Sequence, residues 1–433
     1  MAMDGKELVE KLAKLSQVQS IKDIPQLTHA LFPGTHCPLM GAAMAVGGIK
    51  DSLIVVVGTD ECTYYTKSMT IHSEKFGGID GRCVSVVLDD HDVTFGSAEK
   101  VQEAFKEIIE EYRPQCVFLV TTCVIEIIGD DFDAISEGLS ELYGIPVLPV
   151  HTEHFKCEDH LPGLERTITV CAEMMKSCDS DNSVNLLGQR MGDFATTELY
   201  AMLQKAGVKI GLQLPCGCSV DDIKNAAAAK VNIVVNDIAL PLAQKMQEKF
   251  GIPYVYFNKF IIPEKIYEAY KNLFGYLELE LPGELEGLYQ NAREKIEKNK
   301  GELEGITYIY GNTPYAVFEM NCFLSSLGMV PQVIQTNRYT EADEPYAKEI
   351  LQYTDPYVCK AANIAPLQYV YDVLSPYLYL GHEFGNRLRQ KGIAIVHSDR
   401  ASGMLGFEVT GYLLQQLVKS VREAKEYRKE LGL

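Results

Sequence analysis

The chain lacks any apolar run approaching the roughly 20 residues that a bilayer-crossing helix requires, so no membrane span is expected. It also lacks the G-x-x-x-x-G-K-[S/T] loop that cradles nucleotide phosphates, which excludes ATP hydrolysis of the P-loop kind. No G-x-G-x-x-G follows an apolar run, and this argues against a dinucleotide enzyme. Positive charge is in deficit. The 40 Lys and Arg against 59 Asp and Glu give a net charge of −19, opposite to the basic surfaces that hold nucleic acid. The first 17 residues are amphipathic and of mixed charge, without an apolar signal core. A cytoplasmic protein is therefore expected, and 47% hydrophobic with 23% charged residues suits a soluble globular one.

Present instead is an alternation of short β-branched runs with longer amphipathic stretches, the pattern of parallel-sheet α/β domains. At 433 residues the chain exceeds one ordinary core. Runs at 53–57, 84–88, 117–120 and 145–150 predict strands of a first unit, with helices at 98–112 and 132–143. The polar stretch 176–183 ends it. Strands at 184–188, 209–214 and 232–235, with helices at 194–206, 220–229 and 240–250, predict a second unit closed by the charged segment 282–305. Strands at 306–310, 330–335, 356–359, 377–380 and 393–397, with helices at 315–327 and 407–428, predict a third. The expected fold is α/β, with three Rossmann-like domains over 1–180, 181–300 and 301–433, each a mainly parallel sheet flanked by helices.

Twelve cysteines in a chain of intracellular character read as free thiols rather than disulfides. Three stand at Gly/Pro/Thr-rich corners: Cys37 in Gly34-Thr35-His36-Cys37-Pro38, Cys62 in Gly58-Thr59-Asp60-Glu61-Cys62, and Cys123 in Thr121-Thr122-Cys123. The last two follow predicted strands, so a parallel sheet delivers them to the carboxyl edge where α/β ligands bind. Three thiolates on one edge suit a soft metal or an iron–sulfur cluster. The competing reading is three core thiols, because free Cys is among the most buried residue types. Such thiolates would be prone to oxidation, which fits a reducing, anaerobic setting.

The motifs around these cysteines extend through Cys37-Pro38-Leu39-Met40-Gly41-Ala42, Asp92-Val93-Thr94-Phe95-Gly96 and Thr121-Thr122-Cys123-Val124-Ile125-Glu126-Ile127-Ile128-Gly129-Asp130-Asp131. Together they resemble the nitrogenase component 1 family, and 224–257 and 392–417 are similar to its second and third domains. That family comprises nitrogenase, its cofactor-assembly scaffold, the light-independent protochlorophyllide and chlorophyllide reductases, and the reductive cyclase of the nickel tetrapyrrole pathway. The resemblance implies that Cys37, Cys62 and Cys123 ligate an iron–sulfur cluster shared between subunits, either [4Fe–4S] or a larger P-type [8Fe–7S]. The partner completing it would be a paralogous α-type subunit or a second copy of the chain. A further implied partner is an ATP-hydrolysing iron protein, a homodimer with its own [4Fe–4S] cluster.

The Thr-Thr-Cys-x-x-Glu-x-x-Gly-Asp-Asp pattern is most like the β-type subunit. A serine near that subunit's cluster falls within 151–155, where this chain offers His154, and Cys157 is a second substitute. His36 and Thr122 join them as expected neighbours of the cluster. The α-type subunit holds its large cofactor through one Cys and one His; Asn236 and Met404–Leu405 stand at those positions here. No molybdenum-type cofactor is therefore expected to be ligated by this chain. The implied activity is that of a subunit of a two-component, ATP-dependent reductase passing electrons to a reducible substrate. The alternatives are a scaffold for assembling a complex metal cofactor, or a tetrapyrrole reductase subunit of the protochlorophyllide or nickel-sirohydrochlorin type.

Four other features carry weaker signals. Cys216-Gly217-Cys218 lacks a second pair and reads first as ordinary structure. His151, His154, Cys157 and His160 could pass for a zinc site, but after a strand end they read rather as neighbours of the cluster or a proton relay. The run Tyr369, Tyr371, Tyr377, Tyr379 reads as amphipathic core rather than a tetrapyrrole platform. Gly403-Met404-Leu405-Gly406 reads as a strand-to-helix turn before an anion site.

Overall fold

A computed structural model describes residues 4–27, 36–71, 82–157, 159–190, 192–258, 261–311, 313, 316–360 and 364–433. Its first sheet has the strand order Cys83–Val87, Ser52–Gly58, Cys116–Thr121, Val147–Val150, all parallel. Every residue of the two central strands is buried, as β-branched runs covered by helices on both faces must be. The second sheet runs Tyr254–Tyr256, Val231–Val234, Val184–Gln189, Ile210–Pro215, again all parallel. The third carries Tyr357–Cys359, Val330–Gln335, Thr307–Tyr310, Leu378–Leu380 and Ala394–Val396 in parallel, with the short strand Ala13–Lys14 added antiparallel at one edge. This is the α/β architecture of three mainly parallel sheets that the sequence predicts.

The three sheets share cores instead of standing apart. One apolar cluster joins Val56 and Phe118 of the first sheet to Leu212 and Val234 of the second. Another joins Leu186 and Ile233 of the second to Tyr308 and Ile334 of the third. Burial on this scale, at ~25 cal/mol per Å² of apolar surface, ties the units into one body.

Three local differences have physical causes. The predicted helix at 194–206 splits into a turn, Phe194–Thr196, and the helix Glu198–Lys205, because the Thr197 hydroxyl caps Tyr200 N at 3.2 Å. The predicted helix at 220–229 ends at Lys224 and tightens into Ala226–Ala228. The N-terminal segment lies on the third sheet, not on the first. Leu15 N donates to Pro356 O at 2.9 Å, Lys360 N to Pro25 O at 2.9 Å, and Leu8, Leu12 and Leu27 pack with Ile309, Val333 and Tyr379. Among the described residues no helix is long and apolar enough to cross a membrane.

Candidate metal centre

Each of the three cysteines opens a helix. Cys37 is the N-cap of Pro38–Gly47, Cys62 lies in the first turn of Asp60–Ile71, and Cys123 begins Cys123–Ile128. Helix N-termini carry positive partial charge and exposed N–H groups, which favour a thiolate. All three side chains are half-buried, and Gly34 and Thr35 of the first motif lie outside the described residues. Burial pushes the Cys123 thiol up and the adjacent Cys62 pushes it further; the N–H groups of Val124 and Cys123 oppose this, and Cys37 adds a smaller upward push. Cys62 and Cys37 are therefore each within electrostatic reach of Cys123. A bound metal reverses that balance, because a coordinating thiol is deprotonated outright.

Close backbone approaches bring the corners together. A Cβ on Gly58 would lie 2.0 Å from Thr122 Oγ1, so only glycine lets the Cys62 corner seat against the Cys123 corner. The helix Pro38–Gly47 meets Leu161–Val170 through two glycines: a Cβ on Gly41 would lie 1.9 Å from His160 O, and one on Gly163 would lie 1.8 Å from Pro38 O. That contact sets the position of Cys37. Thr59 Oγ1 donates to Cys62 Sγ at 3.5 Å. Thr122 Oγ1 is buried and has no hydrogen-bond partner among the described residues, an orphaned hydroxyl beside Cys123 of the kind a sulfide ligand would satisfy.

Among the described residues no three His, Cys, Asp or Glu side chains converge closely enough to hold a single ion. The thiols thus do not form a mononuclear site; ligands of a polynuclear cluster hold separate atoms and need no common point. His151, His154, Cys157 and His160 diverge. His151 Nε2 lies 3.2 Å from Asp133 Oδ1, and the exposed His154 ring sits edge-on to Phe155. Cys157 Sγ is 3.7 Å from both Thr152 O and Arg166 Nη1. His160 faces His36 with ring centroids 6.4 Å apart, and burial followed by Arg190 pulls its pKa down to about 4.

Glu126, part of the third motif, has a role the sequence reading did not assign. Its carboxylate accepts from Thr121 Oγ1 at 2.8 Å, Thr152 Oγ1 at 3.1 Å, Glu153 N at 2.5 Å and His154 N at 3.2 Å. It thereby fastens the 152–154 loop to the Cys123 helix. Asp130 in the same motif accepts from Ser97 N at 2.7 Å and Oγ at 2.6 Å, which ties down the start of the helix Ala98–Tyr112. The other candidates resolve as structure. Gly403–Gly406 leads into the helix Glu408–Leu431, whose start is filled from within: Glu198 Oε1 accepts from Phe407 N at 3.0 Å, and Glu408 Oε1 from Leu405 N at 3.2 Å. Tyr371 and Tyr379 are buried, whereas Tyr369 is 40% exposed. Cys218 is buried in a two-residue strand paired with Ile49–Lys50, and Cys216 points elsewhere, donating to Arg190 O at 3.4 Å.

Sequence reasoning also missed a group of charged and polar side chains where the three sheets meet. Arg190, Cys216 and Asp237 follow strands of the second sheet and Tyr256 ends another, so all four lie on its carboxyl edge. Opposite, Glu319 lies in the first turn of Val317–Ser326 and Arg338 follows Val330–Gln335 of the third sheet. His160 and Glu165, at the start and within the helix Leu161–Val170, feel the charges of Arg190 and Arg338. Glu319 is 4% exposed and its Oε1 has no hydrogen-bond partner among the described residues. Burial pushes this carboxyl up to about 7, with Lys265 opposing and Asp237 adding. Asn236, at the expected Cys position, caps a turn by accepting from Ile238 N at 3.2 Å, and Leu405 is buried.

Known proteins resemble this chain in sequence and in fold. The profile of the family described as "Nitrogenase component 1 type Oxidoreductase" matches residues 37–422. The nitrogenase iron-molybdenum cofactor biosynthesis protein NifE of Clostridium pasteurianum is 31% identical over 224 residues, 51% of this chain and 49% of that protein. NifE of Rippkaea orientalis is 25% identical over 331 residues, 73% of this chain and 69% of that one. The nitrogenase molybdenum-iron protein alpha chain of Methanosarcina barkeri is 24% identical over 330 residues, 72% of this chain and 62% of that one. The chain thus aligns with about half to two thirds of the length of these relatives. The solved structure "Nitrogenase Cp1 at pH 6.5" superimposes with a TM-score of 0.79 over 93% of this chain and 95% of that one, at 15% identity, a likeness of fold. The family profile covers most of the chain, and the chain belongs to the nitrogenase component 1 type oxidoreductases.

Proposed function

We propose that this chain is a subunit of a nitrogenase-like complex that carries an iron–sulfur cluster on Cys37, Cys62 and Cys123 and serves in assembling a complex metal cofactor. The observation that carries the reading is the delivery of the three thiols to one edge by three helix N-termini, beside the orphaned Thr122 hydroxyl. When bound, the cluster would supply one-electron redox chemistry. The chain's own residues would supply the thiolates, the N–H groups that favour them, and the burial that excludes water. Three thiols leave a cubane one ligand short, so a paralogous subunit or a second copy would complete the site. Phe95, Ile127 and Phe155, which are 76%, 71% and 69% exposed, stand on the two motif helices and on the turn His154–Lys156, and give a partner apolar surface to cover. An ATP-hydrolysing iron protein is the expected electron donor.

Assembly is favoured over a finished reductase by the relatives named for cofactor biosynthesis and by Asn236 and Leu405 at the anchoring positions. Without those ligands a cofactor under assembly would be held loosely enough to be handed on. The second reading, an electron-relaying reductase subunit, rests on the similarity to the alpha chain of Methanosarcina barkeri. Anaerobic purification followed by iron analysis and EPR tests the ligands: Cys62→Ser or Cys123→Ser should lose the iron and the signal. Unchanged iron in both variants would refute the assignment. Metal that is substoichiometric and transferable to an acceptor protein supports assembly; tightly held metal with steady turnover supports the reductase.

A further inference from the structure

Thr122 stands immediately before the helix Cys123–Ile128, where a threonine hydroxyl ordinarily accepts from an N–H two or three residues on. Here it makes no such cap. The Val124 N–H, one of the two it would serve, turns to the Cys123 sulfur instead. The freed Oγ1 lies against Gly58, where an added Cβ would come within 2.0 Å of it. It therefore sits between the corner that delivers Cys62 and the one that delivers Cys123. The residue is 2% exposed, so bulk water does not satisfy the hydroxyl.

Its neighbours are engaged. Thr63 Oγ1 is 2.9 Å from Ser85 Oγ, and Thr121 and Thr152 donate to Glu126 Oε1 at 2.8 and 3.1 Å. The Glu126 carboxylate accepts two backbone N–H groups besides and has no need of another donor. Thr122 Oγ1 alone among these has no partner within the described residues. A hydroxyl buried in this way is costly, and a chain with no use for the O–H would be better served by an apolar side chain of the same shape. The facing corner shows what the use would be: Thr59 Oγ1 donates to Cys62 Sγ at 3.5 Å.

We propose that the Thr122 O–H donates to a sulfur of the cluster held by Cys37, Cys62 and Cys123, and that this bond raises the reduction potential of the site; the proposal rests on those three thiols being its ligands. Sulfide and thiolate sulfurs accept hydrogen bonds, and such bonds are among the influences that set cluster potentials. Negative charge gathers on sulfur when one electron is taken up, so the Thr122 bond is stronger in the reduced state than in the oxidised one. No covalent bond is made or broken at Thr122, and its proton stays on Oγ1. The electron is supplied by an external low-potential reductant.

The test is a redox titration of the full chain, purified anaerobically and reconstituted with ferrous iron and sulfide, with the EPR signal read against a potential set by dithionite and mediators. Thr122→Val keeps the branched shape without the O–H. It should retain iron and require a more negative potential, a shift of about tenfold in the ratio of reduced to oxidised cluster, or ~59 mV for one electron. Thr122→Ser keeps the O–H and should stay within about twofold of wild type. Metal-free Thr122→Val should melt no lower than metal-free wild type, because no bond within the chain is lost. Iron lost from Thr122→Val but kept by Thr122→Ser also supports a required hydroxyl. A potential unchanged or raised in Thr122→Val, a lower melting point of that metal-free variant, or iron lost from both Thr122 variants would overturn the proposal alone. Wild type that takes up no iron, or Cys62→Ser and Cys123→Ser variants that keep it, would refute the ligand set and the proposal with it.

Discussion

Replacing Glu319 by Gln isolates the energetic consequence of one buried acid. The side chain is 4% exposed, its Oε1 has no partner, and its ordinary value of 4.5 rises to about 7 in the folded chain. The folded state therefore keeps a proton that the unfolded chain releases, and wild-type stability declines as pH climbs from about 4.5 through about 7. At ~1.4 kcal/mol per pH unit separating the two values, the full penalty above pH 7 is about 3 kcal/mol. Glutamine preserves the shape and never ionises. The variant should exceed wild type by about 2–3 kcal/mol at pH 8.5 and match it within about 0.5 kcal/mol at pH 4.5. Since the chain has no tryptophan, urea unfolding is best followed by circular dichroism at the two pH values. A variant no more stable than wild type at pH 8.5, or equally stabilised at both, would refute the reasoning.

Two further substitutions probe how the thiol edge is held. Glu126→Ala removes the acceptor of two loop N–H groups and two hydroxyls; hydrogen exchange at the amides of Glu153 and His154 should accelerate about 30-fold or more, equivalent to about 2 kcal/mol of local opening, and unchanged exchange would show that the carboxylate does not anchor the loop. Gly163→Ala drives a methyl group into Pro38 O, so the helix opened by Cys37 must shift, at a cost of about 1–3 kcal/mol; iron content should drop while secondary structure persists, and full iron retention would show that the helix contact does not position Cys37.

Where the local pattern is strong, sequence and structure coincide. The helices Ala98–Tyr112, Phe132–Tyr143 and Leu240–Phe250 begin and end where their amphipathic stripes do; the last two stop at Gly144 and Gly251, each in the left-handed conformation that suits glycine. The helix Pro38–Gly47 was not legible because nine of its ten residues are buried, and a helix that is apolar all round shows no period. The strand Tyr254–Tyr256 is three residues long, too short to show alternation. The corners of Cys62 and Cys123 were readable from the strands before them. The anchoring by Glu126 was not, since its partners on the far loop lie 26 to 28 residues onward. The charged group where the sheets meet was hidden for the same reason: Arg190, Asp237 and Glu319 belong to separate elements and share no spacing.

The antiparallel pairing of Ala13–Lys14 with Tyr357–Cys359 makes the molecule a closed loop of domains. The first domain is held at both ends, through the segment before Cys37 to the third domain and through the residues before Val184 to the second. The domain that carries Cys62 and Cys123 is thus bracketed in the chain by one segment packed on the third sheet and by another that enters the second.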